Sequence, residues 1–176
     1  MLNCLFAAAV GAALGVDWPL ILKGLESFKA ATGRLQLKMV EGIQFLDDSY
    51  NANPSSFEAA LDALRELKTS AKKGVVFGDM LELGAETEAQ HRLLGRRLAA
   101  CGFDFVIGTG EHARLVLDEA LKHGLNSKKI YTAADGAAAG KILRELAAAG
   151  DCVLVKGSRG MKMEKVFECF ITSSTL

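Results

Sequence analysis

The period of the apolar positions changes along the chain, and each change predicts a different element. The opening stretch, MLNCLFAAAVGAALGV, is small and apolar almost throughout and stops at Asp17. No basic residues lead it, and Asp17 interrupts it short of the roughly twenty residues that a membrane span needs, so it predicts a buried helix over residues 2–14, closed by Gly15. Asp17 can cap a second helix, with Pro19 in its first turn and Leu20, Ile21, Leu25 and Phe28 on one face. After Arg34 the period falls to two. Leu35, Leu37 and Met39 alternate with Gln36, Lys38 and Val40, and Glu41-Gly42 turns them into the run 43–46, which predicts a β-hairpin.

From Pro54 onward helical and strand patterns alternate. Phe57, Ala60, Leu61, Leu64 and Leu67 form a stripe, and Lys68, Lys72 and Lys73 read as a solvated helix end whose cations suit the negative end of the dipole. The short apolar runs 74–77, 103–107, 130–131 and 152–155 read as strands. The helices between them carry His91, Leu94 and Leu98, then Ala113, Val116 and Leu121, then the stretch 138–148. A last amphipathic helix holds Met163, Val166, Phe167 and Phe170. Strands without a polar face are covered on both sides, which predicts a mostly parallel sheet with helices on each face and right-handed crossovers. The fold class is therefore α/β: a Rossmann-like three-layer domain over residues 33–176, with the hairpin as an antiparallel edge. A helical pair at 1–32 makes little core alone and reads as a remnant of another domain.

Charge and cysteine narrow the function classes. Lys plus Arg equals Asp plus Glu at 21 each, so no electrostatic footprint for nucleic acid or an anionic membrane is present. Cys4, Cys101, Cys152 and Cys169 are far apart without metal spacing, and read as buried thiols of a reducing cytoplasm.

Chemistry gathers where strands stop. Phe45 to Pro54 reads FLDDSYNANP: an apolar strand running into two carboxylates, a phenol and two amides before Pro54 opens a helix. The ordinary alternative is a plain connection with Asn53 as N-cap and Pro54 at the first helical position. Gly78-Asp79 ends the next strand, and Lys156-Gly157-Ser158-Arg159 the last; in a parallel sheet all three ends share the edge where ligands sit. Lys156 to Arg159 reads equally as a phosphate or carboxylate contact and as a helix start capped by Ser158. Gly108-Thr109-Gly110 lacks the third glycine of a dinucleotide loop and reads as a tight turn, while His91, His112 and His123 read as surface or helix-end residues. No GxxxxGK[ST] occurs, so no Walker-type loop holds a triphosphate.

Together, DDSYNANPSS, GDMLELG with His91 following, and VLVKGSRGMKME resemble the C-terminal part of the Mur ligase family, of the kind that joins D-alanyl-D-alanine to UDP-N-acetylmuramoyl-tripeptide in peptidoglycan precursor synthesis. LNCLFAAAVGAALGV followed by TGRLQ resembles the end of that family's central ATP-binding domain and its junction to the third. The resemblance implies a cytoplasmic enzyme of three domains that uses ATP and Mg2+ to make an acyl phosphate, which the dipeptide amine attacks. It makes residues 1–32 the incomplete tail of the central domain and 33–176 the C-terminal domain. It places Asn3 near the adenine, Arg34 at the nucleotide phosphates and Asp48 at the ribose, with Tyr50, Asn51 and Asn53 along the same seam. Lys156, Ser158 and Arg159 fall on the side of the incoming dipeptide. No catalytic residue and no metal ligand is carried over. The phosphate loop, the magnesium-binding acids, the modified lysine and a histidine-asparagine pair all belong upstream, so the chain is expected to be inactive without those domains. Two other readings are a stand-alone module that binds a nucleotide or small acid without chemistry, and an interaction protein that docks through residues 2–14.

Overall fold

The hairpin after Arg34 forms as β1 (Gln36–Val40) and β2 (Ile43–Asp48), paired antiparallel with Lys38 opposite Phe45. Glu41 and Gly42 both have positive φ, at 49° and 78°, as a two-residue hairpin loop of the favoured hand requires. The face of β1 is the reverse of what its alternation implies. Leu37 and Met39 are 53% and 67% exposed, while Gln36, Lys38 and Val40 are half-buried. Lys38 turns inward because it pairs with the buried Asp47 and lies 5.0 Å from the centroid of the Phe167 ring.

The computed structural model describes residues 2–28 and 32–171, and the chain divides into two compact units, Met1–Ala31 and Thr32–Leu176. In the larger unit β3 (Lys73–Gly78), β4 (Phe105–Thr109), β5 (Ile130–Ala133) and β6 (Cys152–Lys156) join the hairpin in one six-stranded sheet, ordered β1-β2-β6-β3-β4-β5. Every pairing except β1 with β2 is parallel. The last strand is thus inserted between the second and third, with Lys156 in register with Asp48 on one side and Phe77 on the other. Three polar strand ends, far apart in sequence, become neighbours.

Helices cover both faces. On one, α3 (Pro54–Glu66), α4 (Thr87–Cys101) and α5 (Ala113–Lys122) bury Phe57, Leu61, Leu98 and Val116 against Val75, Phe77 and Leu154. On the other, α6 (Gly136–Leu146) and the C-terminal turns bury Leu143, Met163 and Val166 against Val76, Val153 and Val155. The alternation of Val75 and Phe77 with Val76 is the period of two that a strand covered on both sides needs. The last amphipathic stretch is not one helix. Arg159–Met161 and Met163–Phe167 are 3-10 turns, Lys162 between them sits at φ 50°, and only α7 (Glu168–Ile171) is α-helical. Its apolar residues are buried as the sequence implies, since Met163 and Val166, like Phe167 and Phe170, lie three apart, the period of a 3-10 turn.

In the smaller unit α1 (Leu2–Ala13) and α2 (Trp18–Ser27) pack on each other through Gly11, where an added Cβ would meet Ile21 at 3.1 Å. The first helix is not buried within this unit. Leu5, Phe6 and Val10 are more than half exposed, and Cys4 is exposed rather than a buried thiol. Ile21 is the unit's only buried hydrophobic residue among those described, because two helices have too little surface to enclose more. No described helix is long and apolar enough to cross a membrane.

Candidate functional site

The end of β2 divides its two carboxylates between different tasks. Asp47 is buried; one of its oxygens accepts from the Ser49 amide at 3.1 Å and hydroxyl at 2.6 Å, and the other pairs with Lys38. Asp48 points the other way. Its Oδ1 accepts from the Leu35 amide at 2.9 Å and its Oδ2 pairs with the Lys156 ammonium. Gly33 stands at φ 73° with its carbonyl accepting from the Tyr50 amide at 2.9 Å, and a Cβ there would lie 3.0 Å from the Tyr50 nitrogen. Only glycine permits that approach without strain. It leaves the Arg34 guanidinium 4.7 Å from the Tyr50 ring centroid.

Lys156 is almost wholly buried. Its Nζ pairs with Asp48, donates to the Asn51 carbonyl at 3.1 Å and lies 5.3 Å from the Phe57 ring centroid. Burial pushes its pKa below the ordinary lysine value, and the Asp48 carboxylate works against that shift. Asn53 caps α3: its Oδ1 accepts from the Ser56 amide at 2.8 Å while the Ser56 hydroxyl accepts from the Asn53 amide at 3.0 Å, with Pro54 following. The helix-start reading and the site reading of this stretch therefore both hold, on different atoms of the same residues.

Two cavities open on this edge. The first, about 290 Å³, is lined by Arg34, Asp48, Tyr50, Asn51, Asn53 and Lys156. The second, about 360 Å³, is lined by Asn51, Asn53, Leu81, Glu82, Ser158 and Arg159, so residues 51–53 form a wall common to both. Five of the six residues expected at a nucleotide thus converge on one cavity. Asn3 belongs to the smaller unit, where it borders an apolar groove of about 390 Å³. Of the residues expected at the dipeptide, Ser158 and Arg159 share the second cavity, and Lys156 is placed in the first.

Ser158 is a buried tie, not a helix cap. Its hydroxyl accepts from the Leu81 amide at 2.8 Å and donates to the Ala52 carbonyl at 3.3 Å. Arg159 is exposed, pairs with Glu164 at 3.1 Å, and its guanidinium lies 5.9 Å from the Tyr50 ring centroid.

At the end of β3, Asp79 gathers His91 and His112, and the sequence reading of His91 as a surface or helix-end residue is overturned by its burial. His91 is fully buried: Nε2 accepts from the Met80 amide at 3.1 Å, which fixes Nδ1–H as the donor to the Thr87 carbonyl at 2.6 Å. Its ring stacks on His112 at 4.6 Å, and both lie beside the buried Asp79 carboxylate, which accepts from the His112 amide at 3.2 Å. Gly110, at φ 113°, lets the turn after β4 close onto that carboxylate, where a Cβ would stand 2.5 Å from Asp79 Cγ. The ligand atoms of Asp79, His91 and His112 come within 4.8 Å of one another. A cation on His91 Nε2 would nevertheless orphan the buried Met80 amide, so the cluster serves as a clamp. His112 and His123 do sit at helix ends, flanking α5. The only sequence signal for His91 was its place after GDMLELG.

Burial holds the His91 pKa below the ordinary value, against the pull of the Thr87 carbonyl and Asp79, with His112 adding to the lowering. The unfolded imidazole titrates near about pH 6.5, so the unfolded chain binds the extra proton first as the pH falls. The contribution of neutral His91 is therefore complete above that pH and is lost as the pH drops toward the lower folded value. Denaturant midpoints measured from pH 7.5 to pH 5 should fall for the wild type, and the gap to His91→Gln should narrow over that interval; an unchanged gap would refute the assignment.

Comparison with known proteins identifies the family. Residues 33–159 match the family described as Mur ligase, glutamate ligase domain. The chain is 33% identical over 98% of its length to the UDP-N-acetylmuramoyl-tripeptide--D-alanyl-D-alanine ligase of Bacillus subtilis (strain 168) and 36% identical over 98% to that of Escherichia coli (strain K12). It spans 38% and 37% of those two proteins. Among solved structures, MurF from Acinetobacter baumannii superposes with a TM-score of 0.85 at 34% identity, over 97% of this chain and 37% of that one. MurF from Thermotoga maritima in complex with ADP gives 0.75 at 32% identity, over 93% and 36%. The chain belongs to the Mur ligase family, with residues 33–159 matching its glutamate ligase domain.

Proposed function

We propose that this chain is the closing portion of an ATP-dependent ligase that joins D-alanyl-D-alanine to UDP-N-acetylmuramoyl-tripeptide in the cytoplasmic synthesis of peptidoglycan precursor. The observation that carries this reading is the pair of cavities that share the wall 51–53, one lined by Arg34, Asp48 and Lys156 and the other by Glu82 and Arg159. In the reaction, the tripeptide carboxylate takes the γ-phosphoryl group of ATP, giving an acyl phosphate and ADP. The dipeptide amine then attacks the acyl carbon, and the amide forms as phosphate leaves.

The residues fit such a role. Arg34 pairs with no carboxylate among the described residues and offers its fork to phosphate oxygens. Each Asp48 oxygen accepts one bond from the protein and retains a lone pair for a ribose hydroxyl. Arg159, whose pair with Glu164 is exposed, can exchange that carboxylate for a dipeptide carboxylate. Asn3 is assigned to the adenine, residues 1–32 to the tail of the ATP-binding domain, and Mg2+ to no residue of this chain. Without a loop to grip the γ-phosphate, positioning and charge neutralisation fail, so the chain alone is inactive and depends on upstream domains.

Isothermal titration of the chain with D-alanyl-D-alanine and with magnesium-ATP, repeated on Arg159→Ala and Asp48→Ala, tests this. Weak dipeptide binding, lowered about 10-fold or more in Arg159→Ala, is expected from the loss of a charge-assisted contact. ATP should bind poorly, and more poorly in Asp48→Ala. Tight ATP binding with no dipeptide signal would replace this reading with a stand-alone nucleotide module.

A further inference from the structure

The loop between β3 and α4 is held at both ends and strained in the middle. Its second and third amides are taken by side chains from elsewhere, Met80 N–H by His91 and Leu81 N–H by Ser158. Its far end is closed by the Glu86 amide on the Leu83 carbonyl at 3.1 Å. Between these ties Glu82 stands at φ 65°, in the left-handed region that a side chain longer than that of Asn or Asp rarely occupies. It is exposed and borders the second cavity, and no cation pairs with it among the described residues. Glycine would sit there without strain. A carboxylate at such a position, on a loop so firmly placed and at the rim of a cavity that also holds Arg159, points to use of the carboxylate.

The rest of the cavity says what the acid would meet. Arg159 supplies one positive charge, while Leu81, Leu83 and Ala52 supply apolar surface. An acid, a base and small apolar contacts complement a short zwitterion with methyl side chains. We propose that Glu82 is a specificity-determining residue of this cavity: it receives the protonated amine of the incoming dipeptide while Arg159 receives the carboxylate. This rests on the dipeptide reading above and adds the residue that selects a free amino terminus. His91 and Ser158 act as positioning residues, holding the loop so that Glu82 faces its ligand.

The test is titration of the chain with D-alanyl-D-alanine and with its N-acetyl derivative, for wild type, Glu82→Gln and Glu82→Asn. Wild type should prefer the free amine by about 10-fold or more, the effect of one charge-assisted hydrogen bond. E82Q, which keeps shape and loses charge, should bring the two ligands to within about 3-fold. E82N should raise the denaturation midpoint, because asparagine tolerates positive φ, and should lose the same preference. A purely structural role would weaken both ligands alike. A preference for the free amine that survives in E82Q overturns this inference and leaves the dipeptide reading intact. No dipeptide binding by the wild-type chain overturns both.

Discussion

Lys156→Met should destabilise the larger unit by about 3 kcal/mol, the low end for removing one partner of a buried ion pair. Methionine keeps the length of the lysine stem and its contact with the Phe57 ring, so the loss is electrostatic. Asp48 would retain the Leu35 amide but lose the Lys156 cation, and the Asn51 carbonyl would lose a donor. The cost stays at the low end because the Asp48 side chain is 13% exposed and keeps some water, against 1% for Lys156. Combining Lys156→Met with Asp48→Asn should recover part of the loss, since the neutral amide still accepts from Leu35 and leaves no bare charge. Urea midpoints of the two single variants and the double variant measure this directly. Strict additivity would mean that the two groups do not depend on each other.

Phe45→Ala should cost about 3–5 kcal/mol, as for other large buried aromatics. Phe45 is fully buried on β2, and its ring meets Phe167 and Phe170 edge-on, with centroids 5.2 and 5.3 Å away. Those partners lie on a 3-10 turn and the short α7, so the aromatic contact works with the burial of Met163 and Val166 to fasten the C-terminal segment to the sheet. Truncation should lower the urea midpoint and quicken limited proteolysis between residues 163 and 170, while Phe45→Leu, which leaves a smaller void, should do much less of both. Equal cleavage of wild type and Phe45→Ala would show that the segment is fastened by other contacts.

Much of this architecture was legible because it is local or periodic. The hairpin showed itself through alternation and a Glu-Gly turn, the parallel sheet through strands with no polar face, and the start of α3 through Asn53-Pro54. The polar strand ends of the site could be placed on one edge by topology alone. What stayed hidden was contact between residues distant in sequence. The inward turn of Lys38 depends on Asp47 across the hairpin, and the place of Lys156 depends on Asp48, 108 residues earlier. Alternation marks which residues share a face of β1 and cannot say which face is covered. His91 was indistinguishable from any helical histidine until the loop carrying Met80 folded over it. Glu82 gave no signal at all, because a backbone angle is not written in composition.

The wall common to the two cavities has a thermodynamic consequence. Residues 51–53 are fastened from the side of β6 by two successive polar side chains, Lys156 on the Asn51 carbonyl and Ser158 on the Ala52 carbonyl. A ligand that draws on Asp48 competes for the ammonium that holds Asn51, and a ligand on the far side leans on the same three residues. Whatever factor one occupant imposes on the affinity of the other must be returned unchanged in the opposite order of addition. If ordering the segment is the shared cost, that entropy is lost once and the second occupant arrives at a wall already set, so communication between the cavities requires no visible movement of the fold.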